Sequence, residues 1–220
     1  MKKLLLTVFL LNPIFILYSE AEQPSFTYME GGYSGLDRTG LEPGHGFILR
    51  GSYELSSYLY IDAHYEKIYD PFQLNGSTTN FDLTQEERSF GLGVKFPIGE
   101  NTVFYLETDY EHYRDVFYIS SNIASRLNIS EGERSYDERG LSATAGIRTM
   151  LTDNTEFYTS YSFNDLGIDR GISSNFDEIT FGGRYYLTDT IGVFTEYEYI
   201  KPKYNGLGID NYKLGVSFRF

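Results

Sequence analysis

Apolar and polar residues alternate along ten stretches of this chain. In each stretch one parity carries no charge through its centre. Phe47, Leu49, Gly51, Tyr53 and Leu55 interleave with Ile48, Arg50, Ser52 and Glu54. Ile191, Val193, Thr195, Tyr197 and Tyr199 run against Glu196 and Glu198. A period of two places successive side chains on opposite faces of a strand. The pattern predicts strands at 26–36, 46–55, 59–69, 86–97, 102–114, 138–151, 155–164, 177–188, 190–200 and 210–220. The connections after the second, fourth, sixth and eighth are short: 56–58, 98–101, 152–154 and Asp189. Those after the first, third, fifth, seventh and ninth are long: 37–45, 70–85, 115–137, 165–176 and 201–209.

Alternation alone also suits a soluble sheet with one wet face. The rhythm of the connections separates the two cases, because a soluble sandwich has no reason to gather its long loops at one end. A transmembrane barrel has short turns on one side of the membrane and long loops on the other. An Arg or Lys facing lipid at the midplane costs roughly 2–4 kcal/mol, which accounts for the uncharged parity. An open sheet in lipid would leave edge N–H and C=O groups unpaired, so the sheet must close. The expected fold is therefore all-β: a transmembrane, antiparallel, up-and-down β-barrel of ten strands, with eight as the alternative count. Aromatics gather at the strand ends, and without Trp the interfacial girdles fall to Tyr and Phe.

Composition sharpens this. The 220 residues suit one domain. Lys2 and Lys3, the apolar run Leu4 to Tyr18 broken by Pro13, and the small residues Ser19 and Ala21 read as a signal peptide, residues 1–21. That run is too short for a spanning helix. The barrel domain is then 22–220. The chain has 18 basic and 31 acidic residues; removing Lys2, Lys3 and Glu20 leaves 16 and 30, a net −14. That balance argues against nucleic acid. Zero Cys means no disulfide frame, no thiol chemistry and no lipoprotein anchor.

The last eight residues carry the polar Lys213, then Gly215, then two aromatics at alternate positions, Phe218 and Phe220. This resembles the C-terminal assembly signal of bacterial outer-membrane barrels. The opening strand, Phe26 to Tyr33 with Gly31 and Gly32 at its centre, is similar to the start of the OmpA-, OmpX- and Opa-like small barrels. The resemblance covers the mature chain but is one of architecture and end motifs, and ten strands depart from the eight-stranded members. It implies export through the periplasm, recognition by the barrel assembly machinery and residence in the outer membrane. It also implies monomers in contact with outer-membrane lipid and lipopolysaccharide.

The inward parity carries Glu30, Glu54, Asp62, Glu66, Glu87, Glu107, Asp109, Glu111, Glu156, Glu178, Glu196 and Glu198. Against these twelve acids stand six bases: Arg50, Lys95, Arg148, Arg184, Lys213 and Arg219. Hairpin registers set Arg50 beside Asp62 and His64, Lys95 diagonal to Glu107, Arg148 near Glu156 and Arg184 diagonal to Glu196, distances at which cross-strand partners pair. Small barrels fill their interiors with side chains, so one reading is a packed, salt-bridged lumen. The other is a narrow path that favours cations, since acidic rings select them. Asp62 with His64, and Glu107 with Asp109, have the residue types to activate a water, reminiscent of the omptin proteases. They sit mid-strand on near-neighbouring strands, away from the rim. A lipid A hydrolase would want an outward His and Ser near the rim; His112 is outward, with no Ser two residues away. His45 falls in the first long loop. Glu131, Glu133, Asp137 and Glu138 form an acidic loop whose spacing is not that of a calcium loop. No catalytic, cofactor or metal set follows from these spacings, and the chain is not expected to be an enzyme. The leading expectation is a structural or adhesin-like surface protein acting through its long loops. A small cation-preferring, porin-like channel comes next and a hydrolase third.

Overall fold

The computed structural model describes residues 23–38, 43–73, 80–119, 131–167, 174–202 and 208–220. The signal-peptide expectation for 1–21 lies outside them. Ten strands follow in chain order: β1 (Tyr28–Arg38), β2 (Gly44–Glu54), β3 (Leu59–Gln73), β4 (Asn80–Pro97), β5 (Thr102–Ile119), β6 (Gly132–Thr152), β7 (Thr155–Leu166), β8 (Ser174–Tyr186), β9 (Ile191–Pro202) and β10 (Ile209–Arg219). Each pairs antiparallel with its neighbours in sequence, and β1 pairs with β10 to close the barrel. Closure pairs every strand on both sides through the body of the barrel.

The alternation fixes which way each residue faces. Leu49, Phe90, Leu141 and Leu214 point outward and are more than half exposed, whereas Glu30, Glu156, Arg184 and Glu196 are buried inside. This inverts the arrangement of a soluble protein and suits a barrel whose outer solvent is lipid. Two of the short turns are held by a hydroxyl at their start. Ser56 Oγ accepts from the Leu59 amide (3.1 Å), and Thr188 Oγ1 accepts from the Ile191 amide (3.0 Å).

The long connections differ from expectation. β4 begins at Asn80 and β6 starts at Gly132, so much of what reads as loop is strand; β5 runs to Ile119, an extension that its apolar run Val116-Phe117-Tyr118-Ile119 already suggests. His45 likewise lies in β2, its ring centroid 6.4 Å from that of Tyr69. The physical reason is that the apolar-out signature ends where lipid ends, while backbone pairing continues. The row Ala63, Phe90, Tyr110 and Leu141 is apolar across β3–β6. Next comes Tyr65, Arg88, His112 and Arg139, and beyond it Lys67, Glu86, Arg114 and Asp137. The nine residues Glu111–Ile119, at roughly 3.3 Å each, carry this four-stranded wall roughly 30 Å along β5 past the apolar row. β1, β2 and β7–β10 have 11 to 13 residues each and build no such extension.

Candidate functional site

The short-turn end of the lumen is packed by a repeated device. Tyr60, Tyr105, Tyr158 and Phe194, on β3, β5, β7 and β9, each face a glycine on the following strand: Gly93, Gly146, Gly182 and Gly215. A Cβ on any of these glycines would lie 2.0–2.6 Å from the facing ring. The missing side chain is thus the room the ring occupies. Phe26 joins them, its ring 4.6 Å from Tyr60 and 5.7 Å from Tyr105. Sequence reasoning missed this floor. Its signal was present: an inward aromatic on alternate strands, always opposite an inward glycine.

Above the floor runs one continuous chain of ion pairs. Arg148 Nε donates to Glu156 Oε1 (2.6 Å), and Arg184 Nη1 donates to the same oxygen (2.8 Å). Arg184 Nε donates to Glu30 Oε1 (2.6 Å), and Arg50 Nε bonds the other Glu30 oxygen. Arg50 Nη1 donates to Glu196 Oε2 (2.8 Å). Lys213 Nζ lies 3.6 Å from Glu196 and 3.3 Å from Glu66 and bonds Glu198. Tyr158 adds a hydroxyl bond to Glu196 (2.6 Å). Alternation of sign is what makes the burial tolerable, since each desolvated charge stands beside an opposite one.

Some charged residues meet as the hairpin registers suggest and others find additional partners. Arg148 meets Glu156 as a diagonal neighbour. Arg50 stands opposite His64 in register, yet its guanidinium bonds Glu30 and Glu196. Arg184 is diagonal to Glu196 but bonds Glu30 and Glu156. Lys95 pairs with Glu54 (2.7 Å), while Glu107 accepts from the Tyr60 hydroxyl (2.8 Å). Arg50 with Glu30 and Arg184 with Glu156 are directly opposite on neighbouring strands, whereas Arg50 with Glu196 and Arg184 with Glu30 cross the lumen, a dimension that two-strand registers do not contain. His64 sits 3.4 Å from Glu87 and 3.8 Å from Glu66. Asp62, Glu107 and Asp109 converge on the β3–β5 side, with no ion pair to the Arg and Lys residues of the chain among the described residues. Outward His112 is held by Asp137 (3.2 Å). In the terminal motif Lys213 belongs to the ion chain, Gly215 faces Gly32 and Phe194, Phe218 points outward, and the Phe220 amide donates to Thr27 O (3.1 Å).

Between floor and long-loop end lies a cavity of about 860 Å³, reaching from Tyr60 and Arg148 up to Phe176 and Ile209. Acids of β3–β5 line one side and the ion chain the other. The outer boundary carries hydrogen-bonded tyrosines: Tyr161 donates to Asp177 (2.9 Å) and Tyr197 to Asp210 (2.6 Å). Such amphipathic rings sit where a bilayer meets water.

A closed sheet with an apolar outside, a charged inside and interfacial tyrosines defines a membrane-spanning β-barrel. The chain belongs to the outer membrane protein beta-barrel domain family, whose family model matches residues 7–182. No curated protein matches it. Among solved structures it is similar to the translocator domain of the autotransporter NalP from Neisseria meningitidis: 10% identity, 90% of each chain covered, TM-score 0.50. It is also similar to OprG from Pseudomonas aeruginosa (11% identity, 92% of this chain and 99% of that one, TM-score 0.47). A further match is Ail, the attachment invasion locus protein of Yersinia pestis (16% identity, 89% and 100%, TM-score 0.42). At such identities the likeness concerns the fold alone. The family places the protein in the outer membrane.

Proposed function

We propose that the protein is a surface-interaction barrel that keeps its lumen shut and presents the β3–β6 wall and the long connections to the cell exterior. The wall carries this reading. Four strands continue past the apolar band with charged residues outward, a rigid platform that a simple membrane anchor does not need. The row Arg88, His112 and Arg139 directly above the apolar row suits the phosphate groups of lipopolysaccharide. Export through the periplasm and reading of Lys213 to Phe220 by the assembly machinery belong to the same proposal.

The chain has no cysteine, which makes topology easy to test. In intact cells expressing Ser135→Cys, on the outward face of β6, a membrane-impermeant maleimide is expected to label the protein. Labelling only after lysis would place the wall in the periplasm and end the proposal.

The acid-lined side of the cavity favours a second reading, a cation-preferring path. Conductance in planar bilayers separates the two. The shut lumen predicts no steady current, and a steady cation-selective current would replace it with the channel.

A further inference from the structure

Three carboxylates meet in the lumen although no spacing along the chain groups them. Asp62 on β3 and Asp109 on β5 are both cross-strand partners of Gly91 on β4. Glu107 joins them, and one oxygen from each of the three lies within 4.8 Å of the others. A Cβ on Gly91 would stand 2.0 Å from Asp109 Oδ1 and 2.5 Å from Asp62 Oδ1. Both oxygens therefore lean into the space that the glycine leaves open.

The unmet bonding capacity is a separate observation. Asp62 Oδ1 and Asp109 Oδ1 are enclosed and have no hydrogen-bond partner among the described residues, and Asp109 is only 5% exposed. The second Asp109 oxygen accepts from Ser142 Oγ at 2.9 Å, and that hydroxyl also lies 3.0 Å from Glu111 Oε1. A hydroxyl has one proton to give, so it satisfies one of the two acids at a time. Glu111, 6% exposed, leaves its own Oε2 without a partner. Arg50, Arg148, Arg184 and Lys213 are engaged by other carboxylates, and Lys95 by Glu54.

Desolvated carboxylates this close cannot all remain ionised and uncompensated. A shared proton would join Asp62 and Asp109 and leave Glu107 with the Tyr60 hydroxyl alone (2.8 Å), whereas a divalent cation answers all three charges together. We infer that Asp62, Glu107 and Asp109 form a binding site for a hard divalent cation of the Ca²⁺, Mg²⁺ or Mn²⁺ class. Carboxylate oxygens are the donors such ions take. The cavity that all three residues line gives room for water as the remaining ligands. The site does not depend on conduction through the floor, and a silent barrel leaves it standing.

The test uses the full barrel, refolded in detergent, stripped with EDTA and dialysed at neutral pH. Free Mn²⁺ is followed by electron paramagnetic resonance during titration. One saturable site, displaced by Ca²⁺, is expected. It should weaken at least tenfold in Asp62→Asn and in Asp109→Asn and stay unchanged in Glu133→Gln on the exposed wall. Migration of unheated and heated samples on gels confirms that each variant is folded. If Asp109→Asn does not fold, Asp62→Asn and Glu107→Gln carry the comparison. No saturable site would mean that the acids share a proton, and an unaltered site in the cluster variants would mean that surface acids bind the ion. Either result overturns the inference.

Discussion

At the scale of single residues, the interior is decided by what glycine omits and by which charge stands next to which. The Tyr105 ring occupies the volume a side chain at Gly146 would need, with contacts as short as 2.4 Å. Gly146→Val is therefore expected to destabilise the barrel by about 1–3 kcal/mol, the usual cost of overpacking, measured by denaturant unfolding in lipid vesicles. Tyr105→Ala in the same background should recover part of that loss if the clash is the cause. Removing one partner of a buried ion pair costs more, about 3–5 kcal/mol, because the partner is left charged and alone. Arg184→Met takes one of two cations from both Glu30 and Glu156, which keep Arg50 and Arg148, so its cost should approach the lower end of that range, about 3 kcal/mol, by the same measurement. A loss below 1 kcal/mol would indicate that water already reaches those carboxylates. Arg148 with Glu156 was legible in the sequence because a hairpin places them together. Arg184 with Glu30 was not, since β8 and β1 meet only across the closed lumen.

At the scale of strands, lipid writes a rule the sequence cannot hide, and water does not. Leu214 at the centre of β10 faces outward and is 61% exposed. Leu214→Arg is expected to cost about 2–4 kcal/mol, whereas Tyr110→Arg at the outer end of the apolar band should cost only about 0–1 kcal/mol. Equal costs at both positions would contradict the assigned depth. The same contrast explains which elements were readable. The core of every strand announced itself by an uncharged parity. The outer half of β6 did not, because both faces there are polar: Glu133, Arg134, Ser135, Tyr136 and Asp137 follow one another without alternation. Arg114 and Asp137 are cross-strand partners. Replacing 115–136 by a two-residue Asn-Gly turn should therefore remove the upper wall yet leave a barrel that still migrates as folded when unheated. Loss of the barrel would show that the wall is needed for closure.

At the scale of the whole molecule, floor and cavity together make the barrel a cup. Taking out two rings with Tyr158→Ala/Phe194→Ala keeps every charge and thins the floor. A cation-selective current is expected where the parent is expected to carry none, and an anion-selective one would contradict the acid-lined interior. The ion chain has one more consequence, which concerns time. Glu30 and Arg50 come from the first hairpin, while Arg184 and Glu196 come from β8 and β9. Those partners sit on walls that the closure of the first strand on the last brings together, so their bonds are expected to form late on the route to the native state. Interactions absent from the folding barrier slow departure from the native state without hastening arrival. The charges inside this barrel therefore act as a latch, and Arg184→Met should raise the unfolding rate far more than it lowers the folding rate.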